Sequence, residues 1–246
     1  MRTVVLIACT AFMFASCSKY QYYNLVSDNV PKNQEKLFVD QNDACDITYD
    51  FSGENGPIRI TVYNKSTKPL EINWEKSALI FGQTSMSFFV REEKTGDEIK
   101  QDNISISQIV NAIFSSPTAI EFIPPQSSTT KQNFFINKKP LKLDRYVSTK
   151  ETIRTKYSRK KLKRYQFSSA NPPFFFRIYL TLQKDNNSFA VDHSFYVTDI
   201  IETRAGPDNF GLDGGDRFYL KGYTHFGNIS AVVGAICITA LLIAAL

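Results

Sequence analysis

Alternation of apolar and polar side chains, repeated segment after segment, constrains this chain more than any other feature. In 173–183, Phe174, Phe176, Ile178, Leu180 and Leu182 fall on one face; in 188–198, Phe189, Val191, Phe195 and Val197 do the same. A period of two turns one side of an extended strand to a core and the other to water. Cys45, Ile47, Tyr49 and Phe51 repeat the pattern, as do Ile58, Ile60 and Val62, and then Leu70, Ile72 and Trp74. Turn chemistry separates them, in Ser52-Gly53-Glu54-Asn55-Gly56-Pro57, in 64–69 and in Lys184-Asp185-Asn186-Asn187. The segments flanking the first and last of these turns read as hairpins. Further strands are expected at 78–82, 85–91, 119–123 and 132–137, which brings the count to seven to nine. Short turns and period two favour a mainly β chain, an antiparallel immunoglobulin-like β-sandwich, over a parallel sheet. One short helix is expected at 104–114, where Ile106, Ile109, Val110 and Ile113 recur at helical spacing. With 20 Phe and 12 Tyr the chain is too apolar to be disordered, and it shows no repeat of fixed period.

The two ends differ from this body. Arg2 is followed by an apolar run over 4–15, too short to span a bilayer, and then by small residues, which reads as a signal peptide at 1–16. The stretch Phe14-Ala15-Ser16-Cys17 resembles the bacterial lipobox, departing from it at Phe14, where Leu is usual. That resemblance implies cleavage before Cys17 and acylation of its thiol and new amine; the alternative is an ordinary signal cut nearby. At the other end, 229–246 carries no charged side chain. Its rise as a helix is ~27 Å, close to the ~30 Å hydrocarbon core, so a C-terminal membrane helix is expected. Tyr219, Tyr223 and Phe226, with Arg217 and Lys221, precede it as at a membrane interface. The alternatives are a buried core helix, or a glycolipid-anchor precursor attached at Gly214-Gly215 with glycosylation-type triplets at Asn64, Asn103, Asn186 and Asn228.

Between the ends, the reading is a tether at 17–43, a sandwich domain at 44–205 with a basic insertion at 138–164, and a Gly/Asp-rich tether at 206–228. With Cys9 in the signal, Cys237 in the apolar tail and Cys17 lipidated, Cys45 is the lone thiol of the body, which leaves no internal disulfide. Ala44 to Phe51, the ITVYNKSTKPLEINWEKSALI stretch, Ile123-Pro124-Pro125, NPPFFFRIYLTL and HSFYVTDI, taken together, resemble an uncharacterised family of Bacteroidota-type envelope lipoproteins. In that family a lipobox precedes a β-rich domain. The resemblance implies an envelope lipoprotein and carries no site residue beyond Cys17.

Chemistry is sparse. His193 falls on the apolar face of its strand, which favours a structural histidine, and His225 adjoins the apolar tail. Asp192-His193-Ser194 spells triad letters, but alternation sends His193 to one face and its neighbours to the other. No nucleophile elbow, zinc-protease, paired-cysteine or phosphate-loop motif occurs. Asp208, Asn209, Asp213 and Asp216 offer hard oxygens in a Gly-rich loop, at a spacing that matches no calcium motif and reads better as a tether. The strongest unexplained feature is charge: 138–164 holds 12 Lys and Arg against 2 acids, with Tyr146 and Tyr157 interspersed, while the rest of the chain has more acids than bases. Such a segment attracts phosphate-rich surfaces, with Lys160, Lys161, Lys163 and Arg164 as its densest group; a solvated insertion loop is the plainer alternative.

The expectation is therefore a membrane-anchored, extracytoplasmic protein of the cell envelope, in the inner or the outer membrane. It acts as a non-enzymatic binding or structural module, with no catalytic residue, metal or cofactor. Its partners are membrane lipid, through Cys17 acylation and the C-terminal helix, and an anionic glycolipid or envelope protein, with no nucleic acid. The alternative is an envelope hydrolase using paired carboxylates.

Overall fold

Side chains that alternate in the sequence alternate in space, and two sheets close over them. The computed structural model describes residues 18–89, 119–154, 159–210 and 214–223. The signal segment, Cys17, the expected helix at 104–114, His225 and the apolar stretch 229–246 lie outside the described residues. The strands are β1 (Ser18–Val26), β2 (Phe38–Gln41), β3 (Cys45–Asp50), β4 (Gly53–Glu54), β5 (Pro57–Asn64), β6 (Leu70–Phe81) and β7 (Thr84–Ser87). They continue as β8 (Ile120–Ile123), β9 (Ser128–Phe135), β10 (Thr149–Arg154), β11 (Arg159–Gln166), β12 (Phe175–Lys184), β13 (Asn187–Thr203) and β14 (Arg217–Tyr223). A single helical turn, α1 (Pro207–Phe210), joins β13 to β14. Among the described residues no helix is long and apolar enough to cross a membrane.

The chain is mainly β and almost wholly antiparallel, in a ten-stranded and a four-stranded sheet. The small sheet runs β2-β3-β5-β9; the spine of the large one runs β4-β14-β1-β13-β12-β6-β7, and among the described residues only the short β14–β4 contact is parallel. Phe38 of the small sheet meets Phe195 of the large one with ring centroids 5.1 Å apart, and Phe51 meets Phe176 at 5.6 Å. The inward positions read on β3, β5 and β12 are buried in one shared cluster that includes Trp74, with Phe174 half-buried against it, so the core lies between the sheets. The tight turn between β12 and β13 places Asp185 and Asn186 at φ 50° and 64°, the paired left-handed geometry that suits a right-twisted hairpin. Between β3 and β5, Gly56 has φ 65° and a Cβ there would come within 2.9 Å of the Phe218 ring, so glycine is required twice over.

Three expectations are corrected. Residues 18–43, the described part of the tether expected at 17–43, are not one: β1 lies between β13 and β14 inside the large sheet. Tyr22 and Tyr23 are both fully buried on opposite faces, and a strand covered on both sides loses its alternation. Nor is the described part of 206–228, residues 206–210 and 214–223, a tether. β14 buries Phe218 and Leu220, while the Gly215 carbonyl accepts from Phe51 N (2.8 Å) and its N–H donates to the Glu35 carbonyl (3.3 Å). A glycolipid exchanged at Gly214-Gly215 would strip a buried strand from the sheet. Finally, the basic segment is not a solvated loop, since its second half is the β10–β11 hairpin, added to β13. Its first half packs Leu143 into the core, and Leu141 N–H donates to Gln21 Oε1 at 2.8 Å.

A bulge in β13 opposite Asn24/Leu25 explains how the hairpin attaches. Before it, Phe195 and Val197 face the core; after it, Ile200 and Glu202 do, and Ile201 turns to the outer face. There Tyr22, Leu162 and Ile201 form a small second cluster, with Tyr20, Phe210 and Tyr219 half-buried against it.

Candidate functional site

The hairpin borders a cleft lined by cations. β13 pairs with β1 on one edge and with β11 on the other, so Lys163 lies opposite Glu202 and Gln21 opposite the same residue from the far side. Alternation from these registers puts Lys19, Gln21, Glu202, Arg204, Lys161 and Lys163 on one face. All of these but Gln21 border a cleft of about 840 Å³, which Lys150 and Arg159 also line.

Charge in this cleft is unbalanced. Its two acids are already engaged: Glu202 bonds Lys19 Nζ at 2.7 Å and accepts from Gln21 Nε2 at 3.3 Å, and Glu151 accepts from Arg164 Nε at 3.1 Å. Lys150, Arg159, Lys160, Lys161, Lys163 and Arg204 have no ion-pair partner among the described residues. Moreover, Lys150 lies directly across from Lys163, and Arg154 across from Arg159. Like charges so placed repel, and a sheet gains nothing from them. Behind Glu202 the hydrogen bonds continue into the fold. Gln21 Oε1 accepts from Tyr23 Oη at 2.5 Å, and burial pushes the Tyr23 hydroxyl's pKa well above its ordinary value, so the phenol stays a neutral donor.

Of the four cations expected to carry anionic binding, three gather here. Lys160, Lys161 and Lys163 border the cleft. Arg164 does not serve: its Nη1 donates to Asp199 Oδ2 at 2.7 Å while its Nε holds Glu151, and this closed arrangement is structural. Burial opposes Asp199's ionisation and pushes its carboxyl's pKa up against the pull of Arg164. Asp199 and Glu151 thus clamp Arg164 between them, while Glu202 is held by Lys19 and Gln21. Lys19 and Arg204 were missed, and no local signal marks them; they arrive by the pairing of strands nearly two hundred residues apart. The first half of the basic run does not join the cleft: Lys138 sits over the Phe135 ring at 5.7 Å and Arg145 over Tyr146 at 5.0 Å.

The other candidates are structural. His193 Nδ1 lies 2.6 Å from Tyr49 Oη, and its Nε2 lies 3.5 Å from Asp40 Oδ2. A proton on Nε2 faces the carboxylate and leaves Nδ1 to accept from the tyrosine, so the imidazole is a neutral strut between sheets. Asp192 and Ser194 do point the other way, to Arg177 and to Asn29. Burial pushes the Cys45 thiol up to about 11, which leaves it unreactive at neutral pH. Asn64 is fully buried and its Nδ2 donates to the carbonyls of Lys68, Ile123 and Pro124 (2.8, 3.1 and 3.2 Å), so it is closed to glycosylation in the folded chain. Asp216 is held by Lys32 at 2.6 Å, and Asp208 and Asn209 belong to α1. No family model matches this chain, and neither a curated protein nor a solved structure does.

Proposed function

We propose that this chain is a membrane-anchored, extracytoplasmic envelope lipoprotein of the Bacteroidota type, a non-enzymatic module whose immunoglobulin-like sandwich presents a cationic surface to an anionic partner. One observation carries the reading. Ser18 pairs with Tyr223 in register, so the chain enters and leaves the large sheet on adjacent strands at the same end. Cys17 precedes Ser18 directly, and the uncharged stretch 229–246 follows Tyr223 within a few residues. A lipid on Cys17 and a membrane helix at 229–246 then hold one end of one body to one bilayer, which removes the conflict of a protein pulled from opposite poles. Several acyl chains anchor firmly, since each buried CH₂ contributes ~0.8 kcal/mol.

The test is mass spectrometry of the mature N-terminus combined with carbonate extraction of membranes. The expected result is an acylated Cys17 at residue one of the mature chain, retention in the pellet, and an uncleaved precursor for Cys17→Ser. An unmodified Cys17 in a chain that carbonate releases overturns the proposal.

A further inference from the structure

We infer that the cationic cleft binds the phosphate groups of anionic lipids in the bilayer at the end where the chain enters and leaves the sheet. The inference rests on the anchored reading above and adds the ligand of its surface. Three features converge on it.

The first is position. From Leu162, opposite Thr203, β11 runs three residues further to Arg159, and from Tyr20, opposite the same Thr203, β1 runs two residues to Ser18. At ~3.3 Å per residue the hairpin reaches ~10 Å past Thr203 and Ser18 ~7 Å, in the same direction. β11 and β1 flank β13, so they stand ~10 Å apart across the sheet. Arg159 and Lys160 therefore lie at least as far out as the strand end that follows Cys17, with Lys161 one residue behind them.

The second is unpaired charge. Six cations border the cleft with no ion-pair partner among the described residues, and the hairpin sets Lys150 against Lys163. Lysine ammonium groups are compact donors that meet phosphate as point charges, and Arg159 and Arg204 add forked donors for its oxygens. A phosphodiester plane offset from the sheet end relieves the repulsion that the protein alone leaves standing.

The third is the opposite face of the same end. Tyr20 and Tyr219 approach with ring centroids 6.0 Å apart, and Tyr22 stacks on Phe210 at 4.2 Å, with Tyr20, Phe210 and Tyr219 only half-buried. Amphipathic rings beside cations are what a headgroup layer selects.

The experiment uses the full chain in nanodiscs of phosphatidylcholine, or of phosphatidylcholine mixed with phosphatidylglycerol, and reads the acylation rate of individual lysines by peptide mass spectrometry. In the mixed discs, Lys150, Lys161 and Lys163 should react roughly fivefold more slowly, and exposed Lys142, outside the cleft, should not change. Soluble glycerol phosphate should protect nothing. In the variant Lys150→Gln/Lys163→Gln, protection of Lys161 should be lost while the melting temperature stays equal or rises, because a repulsive pair has gone. Lys150→Glu, which sets opposite charges across the strands, should raise it further and protect least.

Equal rates in both discs with the chain retained overturn the cleft and keep the tether. A chain that washes out of neutral discs yet is held by anionic ones, with its cleft lysines protected, refutes the tether and keeps the cleft; release from both refutes both. Equal protection by glycerol phosphate assigns the site to free phosphate, and slowing of Lys142 to the same degree makes the attraction diffuse; either overturns the inference. So does aggregation of the neutralised variant with protection unchanged, which makes the cations guards of the open β10 edge.

Discussion

The hairpins β3–β5 and β10–β11 both set two short strands antiparallel, yet their polar faces are wired differently. On β3–β5 each outward acid has a cation: Asp50 takes Arg59 at 2.8 Å and Asp46 takes Lys65 at 2.9 Å, and Thr61 bonds Thr130 of β9 at 2.8 Å. Beneath them Cys45, Ile47, Tyr49, Ile58, Ile60 and Val62 are buried. On β10–β11, among the described residues, only Arg164 is matched, Lys150 faces Lys163, and Leu162 and Tyr165 are the buried side chains. One hairpin satisfies itself and closes the core. The other is joined to β13 by its backbone, by Leu162 and Tyr165 and by the Arg164–Asp199 pair, and leaves most of its charge unmatched among the described residues.

The largest expected difference between the two lies in their apolar faces. Ile47→Ala removes a fully buried side chain from the shared core and should cost about 2–5 kcal/mol, read as a shift of the urea midpoint. Ile153→Ala on β10 truncates a side chain that is only half-buried against the second cluster and should cost less than about 1 kcal/mol. Equal losses would mean that the cationic hairpin is part of the core and that the contrast is false.

These two faces were not equally legible. Where one side of a strand meets the core and the other meets water, alternation is written along the residues: β5, β12 and the first part of β13 were read so, with the turn at Asp185-Asn186 and the inward aim of His193. Where both sides are covered the signal vanishes, as at Tyr22 and Tyr23 of β1. The bulge in β13 reverses the phase midway, which hid the stretch from Asp199 to Thr203 and with it the attachment of β11. The candidate site was half legible. Local density of Lys160, Lys161 and Lys163 shows in the sequence, whereas Lys19 and Arg204 join through long-range pairing. Arg164 looks like its neighbours until Asp199, on another strand, neutralises it.

Acid should separate the hairpins next. β3 is fastened to the large sheet through Tyr49 and His193, with Asp40 and Asp192 as the charged groups nearby. Burial lowers the pKa of the imidazole from its ordinary value near 6.5, despite the pull of those carboxylates. Below that value the unfolded chain binds a proton that the folded chain refuses. The strut's contribution is therefore complete above about pH 6.5 and is lost as pH falls toward the lowered value. The drop in melting temperature from about pH 7 to about pH 5 should shrink in His193→Gln. An identical drop in both proteins would remove His193 from the acid response.

The smallest effect is the most telling, because its sign differs between the hairpins. Asp50→Asn weakens a half-buried pair in which Asp50 Oδ2 accepts from both Arg59 Nε and Nη2 (3.0 and 2.8 Å), and should cost about 0.5–1 kcal/mol. Lys163→Gln removes one charge of a facing like pair and should gain about 0.2–1 kcal/mol. Added salt screens both, so the loss and the gain should shrink together as ionic strength rises past the point where the Debye length falls under ~8 Å. Urea midpoints of the two variants at low and high salt check this. If Lys163→Gln is instead destabilising, Lys163 has a partner within the fold, and the charge of β10–β11 is structural after all.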